Sequence, residues 1–244
     1  MAVWKFRPGL WPTVATLLLL PLLISLGFWQ IDRAHQKEAM KQAFLEKRKE
    51  APVDLAAARD LRGDREAMMW RECLLRGHYL TSEQFLLDEQ IEKGVPGYLV
   101  YTPLKLEGQD TLVLVNRGWI PAGPRRDVVP AFPTPTGPVR ILGVAKAPQS
   151  AGIALGGPGG EKLGGGLVRV QHLDLAGLAK SRHWTLLPYV VRLEPEAGSG
   201  FVRDWTPPGF GRMHHLGYAF QWFTMAAVLV VLYVVLNTNR KTPT

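Results

Sequence analysis

The sequence predicts a membrane protein in which two transmembrane helices flank a mainly antiparallel β (α+β, barrel- or sandwich-like) extramembrane domain. Three observations carry this. Pro8 to Ile31 holds no charged residue, Met213 to Asn239 holds no Lys, Arg, Asp or Glu, and the stretch between them breaks into short β-rich runs separated by Pro/Gly turns. A bilayer core takes about 20 apolar residues of helix, so each charge-free segment is long enough to cross it.

In the first segment, Val14 to Leu26 is almost entirely Leu, Val, Ala and Ile. Lys5 and Arg7 before it resemble the n-region of a signal peptide, but no A-x-A-like cleavage site follows. The run ends in Gly27-Phe28-Trp29-Gln30, an aromatic and amide cluster suited to a membrane interface, so an uncleaved anchor is expected. The second segment has a body rich in Val, Leu and Ala from Phe220 to Leu236 and is closed by Arg240-Lys241. Two spans place both termini on one side, and short basic ends suit the cytoplasmic face. Arg33, Lys37, Lys41, Lys47, Arg48 and Lys49 follow the first span, but a loop this long translocates largely regardless of charge. The organisation expected is a cytoplasmic N-terminus at 1–10, a span at 11–31, an outward-facing domain at 32–212, a second span at 213–237 and a cytoplasmic C-terminus at 238–244.

The formal net charge of +8 is unevenly placed. The flanks carry only basic residues, leaving 25 basic against 21 acidic in the middle. No dense Lys/Arg patch interleaved with aromatics appears, so nucleic acid is not an expected partner. Cys73 is the sole cysteine and fits a small buried residue; with no CxxC, thiol-redox or copper chemistry has no support.

Asp32 to Arg48 reads as a helix continuing beyond the span, since Lys, Glu, Gln and Ala dominate and Pro52 is the first breaker. Trp29, Arg33 and Lys37 share one face of it. Strands are expected at 73–79, 84–87, 97–101, 111–120, 139–145, 167–171 and 189–193, with the turn Pro121-Ala122-Gly123-Pro124 after the clearest of them. Asp174 to Arg182 has the acidic start and basic end of a short helix. Gly152 to Gly166 reads as a mobile loop without phosphate-loop spacing.

Hydrolytic chemistry has no constellation here. Ser199 lies in Ala-Gly-Ser-Gly rather than GxSxG, and the histidines at 35, 78, 172 and 183 show no HExxH or paired metal spacing. Asp88-Glu89-Gln90 and Asn116-Arg117-Gly118-Trp119 suit either a pocket lining or strand-end turns. The exception is Arg212-Met213-His214-His215-Leu216-Gly217-Tyr218-Ala219, because an ionisable group inside a span is a functional hypothesis by default. His215, Ala219, Trp222 and Ala226 line one stripe; His214, Tyr218, Gln221 and Met225 line another. Successive residues point about 100° apart, so the two histidines do not readily share one iron. Neutral imidazole is a normal axial haem ligand, Gly217 and Ala219 suggest room for a flat ring, and Arg33 or Arg212 could meet anionic propionates. The alternative is that these histidines simply sit at headgroup depth.

These motifs together resemble the Surfeit locus protein 1 (Surf/Shy) family of cytochrome c oxidase assembly factors. Gly27-Phe28-Trp29-Gln30-Ile31-Asp32-Arg33 with Lys37 is similar to the family's G-x-W-Q-x-x-R-x-x-x-K. Gly97-Tyr98 with Thr102-Pro103-Leu104 resembles its G-Y-x-x-x-T-P-L, and Val115-Asn116-Arg117-Gly118-Trp119 its V-N-R-G-W. His215-Leu216-Gly217-Tyr218-Ala219 with Trp222-Phe223 resembles N-H-L-G-Y-A-x-x-W-F, although His214 stands where the family has Asn. The resemblance implies a biogenesis factor for haem-copper cytochrome c oxidase in the bacterial inner membrane, its domain periplasmic, and not an enzyme. It implies haem a as cofactor, held by His215 as axial ligand to the iron, with His214, Tyr218, Trp222, Trp29 and Arg33 shaping the site. The implied partners are the oxidase catalytic subunit, haem a synthase and membrane lipid. The rival reading is a cofactor-free scaffold that stabilises an oxidase assembly intermediate.

Overall fold

The computed structural model describes residues 3–58, 63–123, 125, 128–148, 160–195, 200–205 and 211–241. In chain order the elements are β1 (Val3–Phe6), α1 (Leu10–Lys49), β2 (Val53–Asp54), α2 (Arg65–Met68), β3 (Glu72–Tyr79), β4 (Gln84–Glu92), β5 (Val95–Leu106) and β6 (Thr111–Pro121). Then follow β7 (Val139–Lys146), β8 (Glu161–Gly164), β9 (Leu167–Val170), α3 (Leu175–Arg182), β10 (Thr185–Leu193), α4 (Arg212–Leu236) and β11 (Thr238–Lys241). They fall into two compact units: residues 1–45 with 206–244, and residues 46–205.

The first unit is a helix pair. Both α1 and α4 are long and apolar enough to cross a membrane. Their open apolar surface separates them from core helices of a soluble fold: Trp11, Leu17, Leu18, Phe220 and Leu236 are each at least two-thirds exposed. The expected helix after the first span is the same helix, running unbroken to Lys49. The pair is antiparallel, as its cross-contacts show. Thr13 Oγ1 lies 2.8 Å from the Tyr233 hydroxyl, the Phe28 and Phe223 rings meet edge to face at 5.4 Å, and Arg212 Nε lies 3.4 Å from Glu38 Oε2. Beyond the apolar stretch the chain ends pair too. β1 and β11 form an antiparallel ribbon, and Asn237 accepts from the Gly9 and Arg7 amides at 2.8 and 2.7 Å.

The second unit is a barrel. Strands β3, β7, β10, β6 and β5 each pair with the next, and β5 returns to β3 through Gly77–Tyr79 against Leu104–Leu106. All pairings in this ring are antiparallel except β10 with β6. Numbered along the chain, the ring runs first, second, third, fifth, fourth and back to first, with third and fifth parallel. This is the order of an oligonucleotide/oligosaccharide-binding (OB) barrel, a statement about fold and not function. Alternate residues fill the inside, as a period of two requires: Cys73 and Leu75 on β3, Leu104 and Leu106 on β5, Val113 and Val115 on β6, Tyr189 and Val191 on β10. The sandwich alternative is thereby set aside, and Cys73 is fully buried as its surroundings suggested. Burial pushes its thiol up to about 12.

A flank extends from β5 through β4 and β9 to β8. Its apolar face, with Phe85, Leu87, Leu99 and Val168, is covered by Leu175 and Leu178 of α3. Asp174 caps that helix by accepting from the Gly177 amide at 3.0 Å. The expectation of a loop over Gly152 to Gly166 is corrected where it can be tested. Glu161–Gly164 is strand β8, which survives its Gly-rich composition because it pairs with β9. Residues 149–159 and Ser199 lie outside the described residues.

Asn116-Arg117-Gly118-Trp119 is not a turn but a bulge inside β6. Val100 faces Gly118 while Tyr101 faces Asn116, leaving Arg117 as the extra residue. Gly118 has φ +124, and a Cβ there would lie 2.8 Å from Phe201 Cβ and 2.9 Å from Val202 O. Asn116 Oδ1 accepts from the Gly118 amide at 3.0 Å. The Arg117 guanidinium donates to Thr134 Oγ1 at 2.6 Å and to Pro133 O, and stacks over Phe201 at 4.6 Å and Tyr79 at 5.3 Å. Asp88-Glu89-Gln90 is the matching bulge of β4, with Glu89 at φ +60, and Gln90 O accepts from Trp119 Nε1 at 3.1 Å. Both motifs are thus structural joints of the barrel and its flank.

Candidate functional site

The site forms in the helix pair. Gly27 of α1 is buried, and a Cβ there would come within 2.6 Å of the Phe223 ring, so the helices approach closely at this level. One turn on, Gln30 turns toward α4, and its Oε1 lies 2.7 Å from His215 Nδ1. With an amide oxygen as partner, Nδ1 is the donor, and Nε2 takes no part in this bond. This is how proteins orient an imidazole that binds a metal through its other nitrogen. Buried Ala34 on α1 and Ala219 and Ala226 on α4 continue the apolar seam.

The other residues expected at the site are placed less tightly. His214 points about 100° away from His215 and is exposed. Tyr218 and Trp222 follow His215 at i+3 and i+7; Tyr218 is exposed and Trp222 half-buried. On α1, the Arg33 guanidinium lies 5.5 Å from the Trp29 ring and donates to Gln36 Oε1 at 2.9 Å. The Trp29–Arg33 pair is exposed, and Arg212 is already engaged with Glu38. Of the two small residues where room is expected, Gly217 has open space around it and Ala219 does not. Gly217 lies about 200° around α4 from His215, and Ala219 is buried in the seam. Among the described residues no group of three or more His, Cys, Asp or Glu could hold a metal ion.

Gln30, the partner of His215, is read from the sequence only as an interfacial amide. An amide inside an otherwise apolar span was the available signal, since it requires a polar partner within reach.

A β-barrel domain that lies in sequence between two helices long and apolar enough to cross a membrane defines the class. The chain belongs to the SURF1 family, whose sequence model matches residues 17–227. It is 26% identical over 219 residues to a SURF1-like protein of Rickettsia bellii, covering 87% of this chain and 85% of that one. A SURF1-like protein of Rickettsia felis is 24% identical over 233 residues, covering 93% and 96% respectively. The cytochrome oxidase assembly protein SHY1 of Saccharomyces cerevisiae is 31% identical over 97 residues, 39% of this chain and 24% of that protein.

Proposed function

We propose that this protein is an assembly factor, not an enzyme, for haem-copper cytochrome c oxidase, and that it holds haem a through His215 for insertion into the catalytic subunit. Family membership and the yeast relative's name support the assembly role. The observation that carries the cofactor reading is the Gln30–His215 bond, which orients the ring through Nδ1 and leaves Nε2 outside that bond. Haem bound there would supply an iron for that nitrogen and a flat apolar face. Gln30 fixes the tautomer, Gly27 and Phe223 hold the helices at that separation, and Trp222 and Tyr218 offer aromatic surface along α4. Arg33, which rests over Trp29 and donates to Gln36, is the cation on α1 that would meet an anionic group. An exposed site of this kind suits a carrier that must give its cargo up. The basic ends around Lys5, Arg7, Arg240 and Lys241 support a cytoplasmic location for both termini and a periplasmic barrel in the bacterial inner membrane, facing the catalytic subunit and haem a synthase.

The test is the pyridine-haemochrome spectrum of the detergent-purified chain after co-expression with haem a synthesis. A haem a signal lost in His215→Ala and kept in His214→Ala is expected. No haem in the unmodified chain would move the reading to a cofactor-free scaffold, and loss only in His214→Ala would reassign the ligand.

A further inference from the structure

A second polar feature lies on the outer face of the barrel, where β7 runs beside β10. Lys146 faces Val190 across the ladder and Arg192 faces Val144, so both side chains rise from the same face as diagonal neighbours. Such neighbours stand about 7–8 Å apart, within reach of two long side chains converging on one point. Each is half-buried and lies against a tryptophan. Lys146 Nζ is 4.6 Å from the Trp70 ring centre, and the Arg192 guanidinium is 4.7 Å from that of Trp205.

Both walls are built in. Trp205 Nε1 donates to Leu193 O at 2.8 Å. Trp70 sits at φ +67, a conformation that bulky residues avoid. It is held there by Trp70 N to Ala145 O and Ala145 N to Arg71 O, both 2.9 Å. A strained residue fixed on both sides, with its ring over a lysine, marks a place where position outweighs local comfort.

The cations themselves are incomplete. Among the described residues neither has a carboxylate within ion-pair distance or a hydrogen-bond acceptor. Glu194, the nearest acid in sequence, favours the Arg192 charge but is ion-paired to Arg48 at 3.0 Å. Burial, with the Arg192 charge adding to it, pushes the Lys146 ammonium down to about 8. Burial likewise lowers Arg192, to about 10. Two like charges partly withdrawn from water need a negative partner.

We propose that Lys146 and Arg192, walled by Trp70 and Trp205, form an oxyanion site that takes a phosphate or carboxylate group. The guanidinium fork grips two oxygens, the ammonium neutralises the remaining charge, and the indoles keep water from the pair. This site is independent of the histidine reading, and its test does not require haem.

The full chain in detergent is titrated with inorganic phosphate and, separately, with succinate at constant ionic strength set by chloride. Tryptophan fluorescence and the thermal midpoint are followed. A saturable response to either anion is expected, weakened about tenfold by Lys146→Gln and by Arg192→Gln, and retained by Lys146→Arg and by the exposed control Arg140→Gln. Which anion binds names the class. Reductive methylation of Lys146 in the unmodified chain should be slowed by the bound anion, a readout that needs no variant. Absence of any saturable response, or one equal in all variants, overturns the proposal.

Discussion

Replacing Gly118 by Ala probes the joint on which the barrel's longest strands turn. The backbone there has φ +124, so an L side chain incurs about 1–2 kcal/mol of conformational strain. The new Cβ would also meet Phe201 Cβ at 2.8 Å, Val202 O at 2.9 Å and Arg203 Cγ at 3.0 Å. Retreat is difficult, because Trp119 and Val202 exchange backbone hydrogen bonds of 2.8 and 2.9 Å in the adjoining bridge. Overpacking of this kind adds about 1–3 kcal/mol. A total of about 2–5 kcal/mol corresponds to a fall of about 10 °C in the midpoint of a unit of this size. Gly108→Ala supplies the control: its φ is +70 but nothing lies within 4 Å of the new Cβ, so strain alone remains, about 4 °C. Melting followed by near-UV circular dichroism on the purified chain reads both. Equal shifts for the two variants, or a Gly118→Ala shift under 2 °C, would refute the argument that the bulge is tightly packed.

Other outcomes follow from separate features. Gln30→Leu removes the acceptor for His215 Nδ1 and should lower haem a affinity by about 10–100-fold while leaving the melt of the barrel unchanged. Thr13→Val combined with Tyr233→Phe should show a coupling energy of about 0.6 kcal/mol in a double-mutant cycle of helix-pair unfolding; additivity would mean that their bond contributes nothing. Lys146 is depressed to about 8 from 10.5, so between those values the unfolded chain binds more protons than the folded one. Stability therefore rises with pH across that window, and the gain over Lys146→Met should be about 1 kcal/mol after allowance for partial exposure. Cys73, buried with its thiol held near 12, should react with a maleimide only on unfolding.

The sequence was most legible where one segment determines its own structure. Charge-free length marked both candidate spans, β-rich runs between Pro/Gly turns marked the barrel strands, and Asp174 with Arg182 framed α3. It was silent where two distant segments must be brought into register. The parallel closure of β10 on β6 joins runs some 70 residues apart, and nothing in either run names the other. The same holds for Gln30 and His215, whose bond depends on the relative depth of two helices. Asn-Arg-Gly and Asp-Glu-Gln carry turn chemistry and left a pocket lining and a strand-end turn equally open; each serves instead to insert one residue without ending a strand. Strand β8 was missed because pairing with β9 overrides the weak propensity of a glycine-rich run.

The ribbon joining β1 to β11 bears on how such a chain is made. Its first strand leaves the ribosome more than 200 residues before its partner exists, so the N-terminal segment must wait unpaired while the barrel and the second helix are completed. Only when α4 lies antiparallel to α1 can Asn237 reach the amides of Arg7 and Gly9. Formation of the ribbon thereby reports that the two helices have paired antiparallel. A tag fused at either terminus is best separated from the ribbon by a flexible spacer.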